Sequence, residues 1–128
     1  VRVPAHKPGY ESSARVEYRA PDPACNSYLA FSVMLAAGMK GIEEGYPVPP
    51  PVEGNVFDMS NEERQAKGIR TLPGSLGEAI SLAEGSDLLR ETLGEHIFDS
   101  FIRNKKIEWD RYRSQVTDYE LKRYLPIL

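Results

Sequence analysis

Hydrophobic and polar positions alternate with a period of two near the start of the chain. In "SARVEYRA", residues 14, 16 and 18 are apolar or aromatic, whereas Arg15, Glu17 and Arg19 carry charge. Alternation of this kind is typical of a half-buried β-strand. The opening "VRVP" has the same character, and Pro8 and Gly9 lie in the loop between the two segments. We therefore predict an N-terminal antiparallel β-hairpin with a long loop.

A long apolar segment, "SYLAFSVMLAAGMKGIEEG", follows Pro21 and Pro23, which should end the second strand. Asn26 is suited to cap the start of a helix, and Gly45 is suited to close it. The segment shows no polar face before Lys40, so we expect this helix to be buried in a core. A chain of 128 residues offers little cover for such a helix. Further polypeptide is therefore expected around it.

The second half of the chain is predicted to be helical. Serine or threonine followed three residues later by glutamate marks three capping boxes: Ser60–Glu63, Ser75–Glu78 and Thr117–Glu120. Gly68 and Gly85 lie where glycine commonly ends a helix. Ser86 should begin a short helix that ends at Gly94. Apolar spacings of three, four and seven predict the longest helix over residues 95–115. The predicted fold class is α+β, an N-terminal antiparallel β-hairpin followed by a mostly helical C-terminal half.

Composition and charge limit the classes of function. The chain has 16 basic and 19 acidic residues and a net charge of −3. This charge argues against nucleic acid or an anionic membrane as a partner. No apolar run approaches the roughly 20 residues of a membrane-spanning helix. The single cysteine, Cys25, excludes an internal disulfide and favours a reducing, cytoplasmic location.

The alternating charges at residues 15–19 allow two interpretations. Same-face neighbours on a strand are about 6.5–7 Å apart, so Arg15, Glu17 and Arg19 can pair with one another. The first interpretation is a solvated face whose ion pairs each contribute at most about 1 kcal/mol. In the second, Glu17 stays ionised and binds Mg²⁺ or Mn²⁺, while the arginines, with Arg2 from the paired strand, clamp phosphate or carboxylate. A metal-binding carboxylate beside guanidinium groups is typical of a phosphoryl-transfer site. One glutamate cannot hold the metal alone, so the other ligands would have to come from elsewhere.

Three stretches resemble a known family. "VRVP", "ARVEYRAPDPACNSYLAF" and "LAAGMKGIE" resemble the C-terminal part of the catalytic domain of bacterial- and archaeal-type glutamine synthetases, and the resemblance covers residues 1–128. It implies that ATP phosphorylates the γ-carboxylate of L-glutamate and that ammonia then displaces phosphate from γ-glutamyl phosphate. It also implies ATP and Mg²⁺ or Mn²⁺ as cofactors, and a ring homo-oligomer of full-length copies.

The resemblance assigns roles to individual residues. Glu17 matches a metal-ligand carboxylate. Arg19 matches a catalytic arginine that contacts the glutamate substrate and the group being phosphorylated. Arg2 and Arg15 match positions at the nucleotide. Ser12 stands at a nucleotide-facing position where many members carry lysine.

Some positions depart from the family pattern. Lys7, in the preceding loop, could replace the lysine missing from residue 12. Phe57 aligns with a tyrosine that some bacterial members adenylylate, so this modification is excluded at that position. The sequence begins with Val1, and the family's N-terminal domain and remaining active-site residues are absent from it. We therefore expect a segment of a longer enzyme, inactive when isolated.

Two other functions remain open. A paralogue of the same fold would join glutamate to a polyamine or another amine, and the residues that select the amine would lie outside this segment. A non-catalytic component would keep the fold only for assembly. The presence of Arg2, Glu17 and Arg19 disfavours this last function, because a site without catalytic function does not require these side chains.

Overall fold

Helices account for the regular structure of the residues that the structure describes. The computed structural model describes residues 1–4, 8–52 and 54–128, so Lys7 lies outside the described residues. The α-helices are α1 (Ser27–Glu43), α2 (Asn61–Ala66), α3 (Leu76–Glu84), α4 (Asp87–Arg113) and α5 (Asp118–Tyr124). Short 3-10 helices cover Glu11–Ser13, Val56–Asp58 and Leu125–Ile127. Within the described ranges, no helix is both long enough and apolar enough to cross a bilayer.

The predicted N-terminal β-hairpin is wrong, and so is the α+β class. Arg2 and Glu17 form one isolated antiparallel bridge, in which the N–H of each donates to the carbonyl of the other at 2.8 Å. Across the described ranges no strand or sheet extends from this bridge. Pro4 has no N–H to continue the pairing. Val16 and Tyr18 are 66% and 50% exposed, so none of the described residues forms a second layer that would stabilise a two-stranded ribbon.

Helix α1 begins and ends close to the predicted residues. The side chain of Asn26 accepts two backbone N–H groups of the first turn, at 3.0 and 3.3 Å. Gly45, just beyond the last turn, has a φ of +62°. The expected burial is not found within this chain, because α1 contains no buried residue and Ile42 is 76% exposed. Only the side of α1 that carries Leu29 and Val33 packs against the core.

The core lies where α1 and α3 pack against α4. Its buried side chains are Ile80, Leu93, Phe98 and Ile102. The partly buried side chains around them are Leu29, Val33, Leu76, Ala83, Leu89, Phe101 and Trp109. Because hydrophobic stabilisation scales with the apolar area removed from water, these contacts stabilise mainly the α3–α4 pair.

Helix α4 is interrupted at Gly94, where φ is +72° and ψ is +154°. This confirms the predicted end of the shorter helix at that glycine. Arg90, before the interruption, forms ion pairs with Glu95 at 2.6 Å and Asp99 at 3.6 Å beyond it. Its guanidinium carbon also lies 4.1 Å from the centre of the Phe98 ring, within cation–π range. These contacts connect the two halves of α4 across the break.

The predicted helix starts are confirmed, with one difference in detail. Reciprocal capping boxes are formed by Ser60–Glu63 and Thr117–Glu120. At α3 the hydroxyl of Ser75 accepts the N–H of Glu78 at 3.1 Å. The carboxylate of Glu78 accepts the N–H of Gly74, at 2.8 Å, in place of that of Ser75. The cap therefore extends one residue further upstream than the sequence pattern indicates.

Candidate functional site

The candidate site is an ion-pair cluster of Arg2, Arg15, Glu17 and Arg19. The antiparallel bridge brings Arg2 beside Glu17 although 15 positions separate them in the sequence. The side chains of residues 15, 17 and 19 meet on one side of the non-helical segment that leads towards α1. All three arginines therefore converge on a single carboxylate.

Each oxygen of Glu17 faces the Nε–Nη2 edge of one arginine. Oε1 lies 3.1 Å from Nε and 3.0 Å from Nη2 of Arg15. Oε2 lies 2.9 Å from Nε and 2.5 Å from Nη2 of Arg19. Arg2 approaches Oε2 less closely, with Nη1 at 3.4 Å. The Glu17 side chain is only 19% exposed, whereas those of the arginines are 57–65% exposed. The carboxylate is thus enclosed by guanidinium groups that face solvent.

The electrostatics of the cluster favour a bound anion. The hydrogen bond from Arg19 is the main cause that holds the pKa of Glu17 below its usual value, and Arg15 and Arg2 act in the same direction. Glu17 is therefore ionised at neutral pH. Three guanidinium groups against one carboxylate leave two positive charges in excess. Phosphate and carboxylate are the anions that such groups bind most strongly.

Ser12 lies close in sequence to this cluster but is not part of its hydrogen bonding. It is the middle residue of the 3-10 helix Glu11–Ser13. The nearest link is between Nη1 of Arg15 and the carbonyl of Ser13, at 3.5 Å. Among the described hydrogen bonds, none joins the Ser12 hydroxyl to an arginine of the cluster.

The residues of the site can provide part of a metal centre. Over residues 1–4, 8–52 and 54–128, no group of three or more His, Cys, Asp or Glu side chains could hold a metal ion. Glu17 has the hard carboxylate oxygens that Mg²⁺ and Mn²⁺ prefer. Since Mg²⁺ takes about six ligands, Glu17 fits as one ligand among several that other polypeptide and substrate would provide.

Asp22 is a positioning residue that the sequence analysis did not single out. Its carboxylate accepts the N–H of Ala24 at 2.7 Å, and its carbonyl accepts the N–H of Cys25 at 3.0 Å. This turn connects Arg19 to the helix cap at Asn26. The signal in the sequence was the Asp-Pro dipeptide, which favours turn initiation.

Comparison with known proteins identifies the family of the chain. Residues 1–124 match the family model described as "Glutamine synthetase, catalytic domain". The chain is 56% identical over 127 residues to a glutamine synthetase of Mycolicibacterium smegmatis, covering 99% of this chain and 28% of that relative. It is 48% identical over 127 residues to one of Methanococcus maripaludis, with the same coverage of each chain.

The chain belongs to the glutamine synthetase family, within the catalytic domain. The resemblance drawn from residues 1–4, 14–31 and 35–43 is thereby confirmed. The chain spans about 28% of the length of the curated relatives it matches.

Proposed function

We propose that this chain forms part of an ATP-dependent glutamate–ammonia ligase. The observation that carries this proposal is the convergence of three guanidinium groups on one ionised carboxylate. Similarity to glutamine synthetases over 99% of the chain supports it. The reaction has two steps, transfer of the γ-phosphoryl group of ATP to the γ-carboxylate of L-glutamate and displacement of phosphate from γ-glutamyl phosphate by ammonia.

The side chains of the cluster have distinct roles in this proposal. Arg2 and Arg15 bind the phosphates of ATP, with Ser12 near the nucleotide. Arg19 orients the γ-carboxylate of glutamate and offsets the negative charge that develops on the transferred phosphoryl group. Glu17 is one ligand of Mg²⁺ or Mn²⁺, and such an ion, when bound, neutralises phosphate charge.

The proposal also includes assembly of full-length copies into a ring homo-oligomer. Ile42 in α1 is 76% exposed, and at the end of the chain Leu125 and Ile127 are 64% and 76% exposed. Exposed apolar surfaces of this kind mark contacts with other polypeptide. These residues therefore supply apolar area that an assembled enzyme would cover.

A chimera tests the proposed activity. In it, this chain replaces the matching 127 residues of the Mycolicibacterium smegmatis glutamine synthetase, which is 56% identical. We expect ammonium-dependent formation of glutamine from glutamate, ATP and Mg²⁺ by the chimera, and none by the 128-residue chain alone. Glu17→Ala in the chimera should abolish the metal-dependent turnover.

The control variant is Glu44→Ala, which removes a glutamate whose only ion pair within the described structure is an exposed one with Lys40, at 3.7 Å. This variant should retain activity. An unchanged rate in Glu17→Ala would contradict the proposed metal-ligand role of Glu17. A chimera that assembles but forms no glutamine would contradict the ligase proposal and favour an assembly role. Because the amine is selected elsewhere in the enzyme, acceptor choice must be tested in the natural full-length protein. Turnover there with putrescine but not ammonium would favour a γ-glutamyl-polyamine ligase.

A further inference from the structure

The arginine edges that would bind phosphate are already occupied in this structure. Arginine binds phosphate most strongly in a two-pronged manner, for which its Nε–Nη2 edge is well suited. Arg15 directs this edge at Oε1 of Glu17, at 3.1 and 3.0 Å, and Arg19 directs it at Oε2, at 2.9 and 2.5 Å. In both arginines, therefore, this edge already contacts the Glu17 side chain of the same segment.

We propose that Glu17 is a built-in competitor, which holds Arg15 and Arg19 until a phosphate-bearing anion exchanges for it. The inference rests on the proposed function, because it concerns how the same site takes up its nucleotide. The two edges cannot serve Glu17 and a phosphate together with the same geometry. Binding of the anion is thus an exchange of ion pairs and not a simple addition.

Exposure and charge indicate how the exchange proceeds. The side chain of Arg2 is 57% exposed and makes only the longest contact with Glu17, 3.4 Å, so it is the first group available to an incoming anion. The arginines at 15 and 19 are 60% and 65% exposed and can turn towards solvent without crossing packed structure. The surplus of two positive charges attracts the anion before any ion pair breaks.

The exchange also changes the state of Glu17. Once the arginines contact the anion, the carboxylate loses the hydrogen bonds that occupy both of its oxygens. It is then free to act as an oxygen ligand. Binding of a phosphate-bearing anion and binding of a divalent cation should therefore favour each other, and by thermodynamic linkage the effect is reciprocal.

Titration of the 128-residue chain with pyrophosphate in metal-free buffer tests the proposal. Glu17→Gln removes the competing charge and should tighten pyrophosphate binding about three- to tenfold, as expected for release of exposed ion pairs. Glu11→Gln is the matched control. It makes the same change of charge, but the carboxylate of Glu11 accepts the N–H of Gly9 and pairs with no arginine among the described contacts. It should leave the affinity within about twofold of the original chain, since an exposed charge that contacts none of the arginines acts on them only through screening solvent.

Two further measurements keep the test decisive. Glu17→Asp keeps the charge but shortens the side chain, so tighter binding by this variant would show competition for contact and exclude a simple charge effect. In the unmodified chain, the carboxyl ¹³C resonance of Glu17 should move as pyrophosphate saturates the site. An unmoved resonance, absence of pyrophosphate binding, or equal affinities in Glu17→Gln and Glu11→Gln would overturn the proposal. None of these measurements contains glutamate, ammonium or metal, so their outcome is separable from that of the ligase assay.

Discussion

Replacing Gly77 by alanine tests the packing of α3 on α4, which holds the core of this chain together. A Cβ at Gly77 would lie 2.8 Å from both Cε2 and Nε1 of Trp109, and 3.0 Å from Cζ2. Carbon atoms in contact prefer about 3.5–4.0 Å, so the indole would have to retreat by about 0.5–1.2 Å. The ring is rigid and stacks on Tyr112 with centroids 6.0 Å apart, so the indole cannot retreat without disturbing this contact.

Two opposing effects set the size of the change. Overpacking of this kind costs about 1–3 kcal/mol. Alanine also gains up to about 1 kcal/mol over glycine in a helix, which offsets part of that cost. We therefore expect Gly77→Ala to lower the free energy of unfolding by about 1 kcal/mol. Gly38→Ala, in the middle of α1, is the matched control, because a Cβ there meets nothing within 4 Å. It should raise the free energy of unfolding by about 0.5–1 kcal/mol.

Urea unfolding followed by tryptophan fluorescence measures both effects. Trp109 is the single tryptophan of the chain, so its emission reports directly on the α3–α4 contact. The urea midpoint should fall for Gly77→Ala and rise for Gly38→Ala, with the slope of each transition unchanged. If Gly77→Ala raised the midpoint as much as the control does, the close approach of Trp109 to α3 would be refuted.

Three more predictions concern other parts of the chain. Gly94→Ala should lower the urea midpoint, because a positive φ destabilises alanine by about 1–3 kcal/mol. An unchanged midpoint would contradict the interruption of α4. The hydrogen bond from the N–H of Thr117 lowers the pKa of Glu120 below its usual 4.5. The capping box should therefore be stable above pH 4.5 and be lost as the pH falls through the pKa of Glu120 in the folded state, which the amide resonance of Thr117 would report by NMR. Arg19→Met should raise the pKa of Glu17 towards its usual 4.5, as a carboxyl ¹³C titration would show, because the hydrogen bond from Arg19 is the main cause of its lowering.

Helix boundaries could be predicted because they depend on local chemistry. Asn26 caps α1 and Gly94 interrupts α4 through interactions made within a few residues, and the sequence shows those residues directly. The β-hairpin was predicted from equally local alternation, but a strand depends on partners that lie elsewhere. With Val16 and Tyr18 exposed, one bridge formed and pairing went no further. The alternation of polar and apolar residues therefore indicated which side chains point to the same side of the segment. It did not indicate whether the segment pairs into a sheet.

The candidate site was predictable to a similar extent. The spacing of Arg15, Glu17 and Arg19 indicated that these side chains could meet, and the structure brings them together without a sheet. Sequence could not show that both arginines turn the same edge towards Glu17, because this depends on rotamers. Nor could it show the turn at Asp22, whose hydrogen bonds become visible only with the backbone traced.

Helix α1 and Glu17 each make only part of the contacts that their chemistry favours. A helix that is apolar on nearly all sides packs here on one side only, and a carboxylate suited to a metal is one ligand where about six are needed. Under the proposed function, the remaining contacts would in each case come from polypeptide or substrate beyond these residues. This explains why the chimera with the Mycolicibacterium smegmatis enzyme tests catalysis, whereas the isolated chain tests packing and ion-pair exchange. We therefore expect the stability of α1 to rise in the chimera even where that of the α3–α4 contact does not, because α1 still has much apolar surface to bury, whereas the side chains at the α3–α4 contact are already buried.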